Sequence, residues 1–288
     1  PPGGSAEIVF RPMIAQLAPR LGQPIVMEYR PGANQAISTA YVAKSPPDGY
    51  TLGFVTDGIM SIAPALPAPL PFDAINDLTP VAVTQHVSLI LVTPRANPIA
   101  SLADLVVRAR ASPGKVSYGS LGIGSIAHIA MEVFAMENGI ELLHVPYKGT
   151  ADAVAAAAAG DIDVTFVSIG VVLPHIPGRL RPIALASPQR HPRVADVPTF
   201  TEALQKPFEV RAWFGLAMAR ATPEPIVGRL RSEIWRIVSA EAFVKDVLAP
   251  SAAEASTVPP EKLEAFVRAD QDKWRDWVRR LGPRLKLN

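Results

Sequence analysis

The chain has 288 residues, enough to bury a large core and, by length alone, to form two domains. Lys+Arg of 28 against Asp+Glu of 26 leaves +2, and no dense basic stripe interleaves with aromatics, so a nucleic-acid partner is not implied. The absence of cysteine excludes disulfides, thiolate metal sites and cysteine nucleophiles; the five histidines are scattered without metal-ligand spacing, and no run approaches the roughly 18 apolar residues of a membrane span, so neither metal, cofactor nor membrane insertion is expected.

In chain order, Pro1-Pro2-Gly3-Gly4 reads as a turn, and Ser5 is placed to cap a helix running to about Leu21. Pro12 should kink it, because its ring removes the bond to the Ile8 carbonyl at about 3 kcal/mol. Residues 25–29 read as a strand, residues 30–35 (Arg-Pro-Gly-Ala-Asn-Gln) as a polar turn, and a small-residue helix follows to near Lys44. Residues 50–56 form the next strand. Strand, helix, strand implies parallel neighbours. Ligands bind beyond the carboxyl ends of such strands, where residues 30–35 and Thr56-Asp57-Gly58 would lie. The proline-rich residues 59–80 should be a loop with at most a short helical turn, and residues 81–92 an extended, β-branched run. The chain is expected to cross into a second domain near residues 93–98, after which Ser101 caps a helix over residues 102–111.

Residues 116–119 have strand character and break into Ser120-Leu121-Gly122-Ile123-Gly124-Ser125, where Ser125 caps a helix that Gly139 stops. Free N–H groups at that helix start, with the hydroxyls of Ser120 and Ser125, would suit a carboxylate or phosphate. Against this, glycine turns between strand and helix are common in α/β proteins. The order G-x-x-G-x-G is not a dinucleotide fingerprint, and no P-loop lysine follows.

Residues 142–147 form a strand leading into Lys148-Gly149, with Thr150 or Asp152 capping an alanine-rich helix that Gly160 ends. A buried strand at 164–167 ends at Ser168, another runs over 180–185, and residues 197–203 turn into a capped helix. Residues 210–217 are a second crossover. Helices fill 223–239, 241–248 and 261–281; Trp274 and Trp277 on the last favour core packing over a ligand role.

Six stretches carry a resemblance: Pro1-Pro2-Gly3-Gly4, Glu28-Tyr29-Arg30-Pro31-Gly32-Ala33, Pro47-Asp48-Gly49-Tyr50-Thr51-Leu52, Tyr118 to Ser125, His144-Val145-Pro146-Tyr147-Lys148-Gly149 and Asp196-Val197-Pro198-Thr199. In this order they resemble the substrate-binding proteins of tripartite tricarboxylate transporters, the Bordetella uptake gene (Bug) family. The resemblance implies a periplasmic, two-lobed α/β binding protein of the Venus-flytrap type (type II-like), each lobe a mixed sheet flanked by helices. Lobe 1 would take residues 1–96 and about 219–288, lobe 2 residues 97–218, with crossovers near 93–98 and 210–218. A small organic anion or zwitterion would be held between the lobes and delivered to membrane permease subunits by a monomer whose signal peptide has been removed. It further implies that upstream residues, including a strand of the first lobe, exist in the precursor.

Carried onto this chain, the ligand loops are Pro2, Gly3, Gly4, Arg30, Gly32, Ala33, Asn34 and Gln35 from the first lobe. The second supplies Ser120, Leu121, Gly122, Gly124, Ser125, Lys148, Gly149 and Ser168. Where the family carries a glycine pair, Asn34 and Gln35 put bulkier side chains, which would alter ligand preference. Thr56 and Asp57 join them from the strand-end argument. Asp57 pointing into the cleft would favour an amino acid or nicotinamide-like ligand over a plain dicarboxylate; Asp57 capping a turn would say nothing of the ligand. Arg30 and Lys148 either neutralise a ligand carboxylate or pair with neighbouring acids. His128 closes the cleft or packs beneath it, and its place in the helix favours packing. Binding, not catalysis, is the expected activity; the alternatives are a sensor that presents its solute to a membrane signalling protein, or a two-lobed transferase, for which no nucleophile pattern is present.

Overall fold

The computed structural model describes residues 5–30, 32, 35–176 and 178–285. In chain order the main elements are α1 (Ser5–Leu21), α2 (Ala36–Ala43), β1 (Gly53–Thr56), β2 (Leu78–Pro94), α3 (Leu102–Ala111), β3 (Ser117–Ser120), α4 (Ile126–Asn138), β4 (Leu143–Pro146) and α5 (Thr150–Ala159). There follow β5 (Val164–Ser168), α6 (Ile169–Val172), β6 (Leu180–Leu185), α7 (Phe200–Leu204), β7 (Arg211–Ala219), α8 (Glu224–Val238), α9 (Glu241–Phe243), β8 (Glu254–Ala255) and α10 (Leu263–Leu281). No described helix is long and apolar enough to cross a membrane. The chain divides into two compact units, residues 1–86 with 213–275, and residues 87–212 with 276–288. The divisions therefore fall inside β2, at the start of β7 and inside α10, earlier in β2 than the expected 93–98. The last turns of α10 group with the second unit instead of the first.

In the first unit, β1, β7, β2 and β8 neighbour one another in that order, with β1 antiparallel to β7 from Gly53↔Ala217 to Thr56↔Phe214. The parallel pairing expected between residues 25–29 and the strand after α2 is not formed: residues 25–29 belong to no strand among the described elements, and Val26 is left 86% exposed. Side chains alternate across the sheet. One face packs Val9, Phe10, Met13 and Leu17 of α1 against Leu230 and Ile234 of α8; the other packs Val55, Val83 and Trp213 against Ala36 of α2 and Leu263 and Val267 of α10. α1 continues through Pro12 and Pro19. After β1 the chain makes a wide helical turn over Gly58–Ile62 and a tighter one over Ala63–Ala65, more helix than the proline content promised.

In the second unit β3 is parallel to both β4 and β5, while the latter half of β2 lies antiparallel to β5 and to β6. The parallel register fixes where the loops go. Ser120 lies opposite Pro146, and Gly119 opposite Thr165, so the carboxyl ends of β3, β4 and β5 share one edge of the sheet. α4 is capped as its sequence asks, Ser125 accepting the His128 N–H and Gly139 ending the helix at φ 61. α5 differs from expectation: Gly149 is its N-cap, Thr150 is already its first residue, and no side chain caps it.

α7 opens with a complete capping box, in which Thr199 Oγ1 accepts the Glu202 N–H at 3.1 Å and Glu202 Oε2 accepts the Thr199 N–H at 2.8 Å. Thr199→Ala is expected to cost about 1 kcal/mol, read by urea unfolding, with Thr199→Ser restoring most of it. Equal stability of the alanine and wild-type proteins would contradict the reading.

Candidate functional site

In the first unit, the predicted rim is built around the turn into α2. Gly32 takes φ 122, a backbone conformation that glycine adopts without strain. Gln35, the residue before the helix, adopts the left-handed conformation at φ 73, and its N–H returns to the Gly32 carbonyl at 3.1 Å. Its side chain does not hang free: Oε1 accepts from Thr56 Oγ1 at 2.8 Å, tying the turn to the end of β1. Arg30 is also engaged, 2.7 Å from Glu28 Oε1 and 3.6 Å above the Tyr41 ring. A ligand carboxylate would have to compete with both. Pro2, Gly3, Gly4, Ala33 and Asn34, also expected here, lie outside the described residues.

Asp57 follows Thr56 and is buried, at 4% exposure. It makes no side-chain capping bond to the helical turn it precedes, so the turn-cap alternative does not describe it. Its Oδ2 is sealed from solvent without a hydrogen-bond partner. Burial, then the nearby charge of Asp270, pushes the Asp57 carboxyl up to about 8; the Gly58 amide and the Lys273 ammonium offset this only in part. Asp270 is itself committed, accepting the Trp213 indole N–H at 2.9 Å and pairing with Lys273 at 3.2 Å. At neutral pH Asp57 is therefore mostly an uncharged acid. A cavity of about 20 Å³ elsewhere in this unit, lined by Met60, Leu78, Val267 and Gln271 among others, suffices for a water and not for an organic acid.

In the second unit the shared carboxyl edge brings together Ser120, residues 121–125, Lys148, Gly149 and Ser168. The glycine loop is held from within. Gly122 N–H donates to Ser120 Oγ at 3.1 Å, Gly124 N–H donates to His128 Nδ1 at 3.0 Å, and Ser125 Oγ takes the His128 N–H at 3.3 Å. The Gly122, Gly124 and His128 amides therefore serve the loop itself. Leu121 and Ile123 instead present apolar side chains to solvent. Lys148 is exposed and, among the described residues, has no ion-pair partner; it precedes the uncapped start of α5. Ser168 stands just before α6 with its hydroxyl making no cap.

Beneath the loop lies a layer that the sequence did not reveal. His144 Nε2 is 2.6 Å from Ser120 Oγ, and its ring stacks on His128 at 4.1 Å and on Tyr118 at 4.9 Å. Tyr118 donates its hydroxyl to Glu132 Oε1 at 2.8 Å, and Glu132 pairs with Arg284 at 3.6 Å. Burial pushes both imidazoles down to about 4, His128 also through its neighbour His144, so both are neutral near pH 7. His128 is indeed packed, at 2% exposure. The signal for His144 was its even spacing from Leu142 within a short strand, too weak to read until the β3–β4 register put it over Tyr118.

The second unit's rim thus combines a glycine loop bonded to its own Ser120 and His128 with an exposed cation, Lys148, that has no ion pair among the described residues. The model of the tripartite tricarboxylate transporter family receptor matches residues 9–282. Protein BugT of Bordetella pertussis is 31% identical over 99% of this chain and 88% of its own length. Among solved structures, R. palustris Rpa4515 with adipate is 30% identical with a TM-score of 0.86, over 97% of this chain and 93% of that one. The periplasmic binding protein BugD is 27% identical with a TM-score of 0.82, over 97% and 94%. The chain belongs to the tripartite tricarboxylate transporter receptor family, the Bug proteins, which bind solutes and are not enzymes.

Proposed function

We propose that this protein captures a small organic dicarboxylate outside the cytoplasm and delivers it to the permease subunits of a tripartite tricarboxylate-type transporter. The observation that carries the ligand class is Lys148: an exposed ammonium without an acidic partner among the described residues, at the carboxyl edge of parallel strands and against the uncapped start of α5. Ser168, at the carboxyl end of β5, adds a neutral hydroxyl for a carboxylate's oxygens. The adipate in Rpa4515, a relative of the same fold, supports the same class. Asp57, sealed and mostly protonated, offers little counter-charge to an ammonium-bearing ligand.

The experiment is isothermal calorimetry with adipate and shorter dicarboxylates, amino acids and nicotinamide. A dicarboxylate should bind, and Lys148→Gln should weaken it about 10-fold, or ~1.4 kcal/mol. Binding confined to amines or amides, or a Lys148→Gln protein with unchanged affinity, would overturn this reading.

A further inference from the structure

The two histidines under the glycine loop differ in how they can take a proton. His128 Nδ1 accepts the Gly124 N–H, so the ring's own hydrogen sits on Nε2. A second proton can go only to Nδ1, where the lone pair is already used. Protonation would set two donors against each other across 3.0 Å. His144 is not trapped in this way. Its Nε2 faces the Ser120 hydroxyl, which can change from donor to acceptor and turn its hydrogen to the Gly122 carbonyl, 3.2 Å away.

The surroundings offer a charged His128 little compensation. His144 from β4 covers its face at 4.1 Å, and Tyr118 from β3 lies beyond that. Glu132, on α4 with His128, is engaged by the Tyr118 hydroxyl and by Arg284 from the C-terminal turn. Neither imidazole has an ion pair among the described residues. Burial and His144 together hold His128 neutral well below pH 7.

We propose that His128 is the positioning residue of residues 121–125: neutral, it pins Gly124 and keeps the loop in its capturing shape; protonated, it releases the loop, making capture acid-sensitive while the strands beneath stay folded. This rests on the carboxylate-capture reading above. It gives that site a regulation that follows from one hydrogen bond.

The test follows amide exchange at Gly124 in wild type, His128→Asn and His128→Ala, between about pH 7 and about pH 4, as protection factors that remove the intrinsic pH dependence. Asparagine places an acceptor oxygen near the position of Nδ1 and does not titrate. Wild type should lose at least about 10-fold in protection over this range, His128→Asn should stay flat, and His128→Ala should be poorly protected throughout. In adipate binding near pH 7, His128→Ala should be about 10-fold weaker than wild type, with His128→Asn recovering most of the loss. The ratio of His128→Asn to wild-type affinity should rise as pH falls; adipate's own ionisation is common to both proteins and cancels. Wild type and His128→Asn following one exchange curve, or full protection in His128→Ala, would overturn the proposal. If no dicarboxylate binds any of the three proteins, the capture reading fails and acid-sensitive capture with it, while the exchange curves still decide whether His128 pins the loop.

Discussion

Gly215→Ala is expected to destabilise the first unit by about 3 kcal/mol or more, lowering its thermal midpoint by roughly 6 °C or more. Gly215 sits in β7 opposite Val55, and a Cβ there would run into the Ala82 carbonyl oxygen and lie 3.4 Å from Trp213. The first obstacle is backbone in the adjoining strand β2, which has no rotamer to change. It can yield only by moving the ladder. That ladder carries β1, whose Thr56 holds Gln35 and so the turn into α2. The damage should therefore reach the candidate ligand turn and weaken dicarboxylate binding beyond what unfolding alone explains. Urea unfolding, with calorimetry below the transition, measures both. A cost under about 1 kcal/mol would mean that β7 and β2 separate more easily than their close approach suggests.

Much of the second unit was legible because its local signals agree with its packing. Ser101, Ser125 and Thr199 all cap the helices they precede, and Gly139 and Gly160 end theirs in the left-handed conformation. The first unit was harder for a physical reason. Residues 25–29 have strand composition, but a strand is defined by a partner, and composition does not report whether one is present. Likewise β1 and β7 are separated by more than 150 residues of sequence, so no short-range pattern disclosed that they pair antiparallel. The candidate site divides along the same line. The glycine loop was readable from spacing and Lys148 only through the family resemblance; that Gly122 and Gly124 give their N–H groups to Ser120 and His128 was not, because it depends on where those side chains settle in the folded chain. Gln35 was expected to reach toward ligand for its size, and the fold gives its oxygen to Thr56.

Asp57→Asn should raise stability at alkaline pH and leave it nearly unchanged in acid. With its carboxyl at about 8 in the folded protein against 3.8 ordinarily, Asp57 keeps a proton on folding that the unfolded chain has already lost. The stability it contributes is complete below the unfolded value and disappears as pH rises through the folded one. Asparagine cannot ionise, so the difference in thermal midpoint, variant minus wild type, should widen from about pH 4 to about pH 8 and then level off. A tenfold difference in proton affinity between folded and unfolded chain corresponds to about 1.4 kcal/mol, but partial relaxation around Oδ2 reduces the total, and a gain of about 2–3 kcal/mol above pH 8 is the reasonable expectation. The two neutral histidines act in the opposite sense, since their depressed values make stability fall as pH drops from about 6.5 toward about 4. They are common to both proteins and cancel in the difference. The same variant bears on the ligand: an ionised Asp57 serving an amine would lose that ligand on substitution, whereas a buried neutral acid leaves dicarboxylate affinity within about two-fold. A midpoint difference that stays constant with pH would place an ionised carboxylate at Asp57, and with it a charge that the folded protein must have a use for.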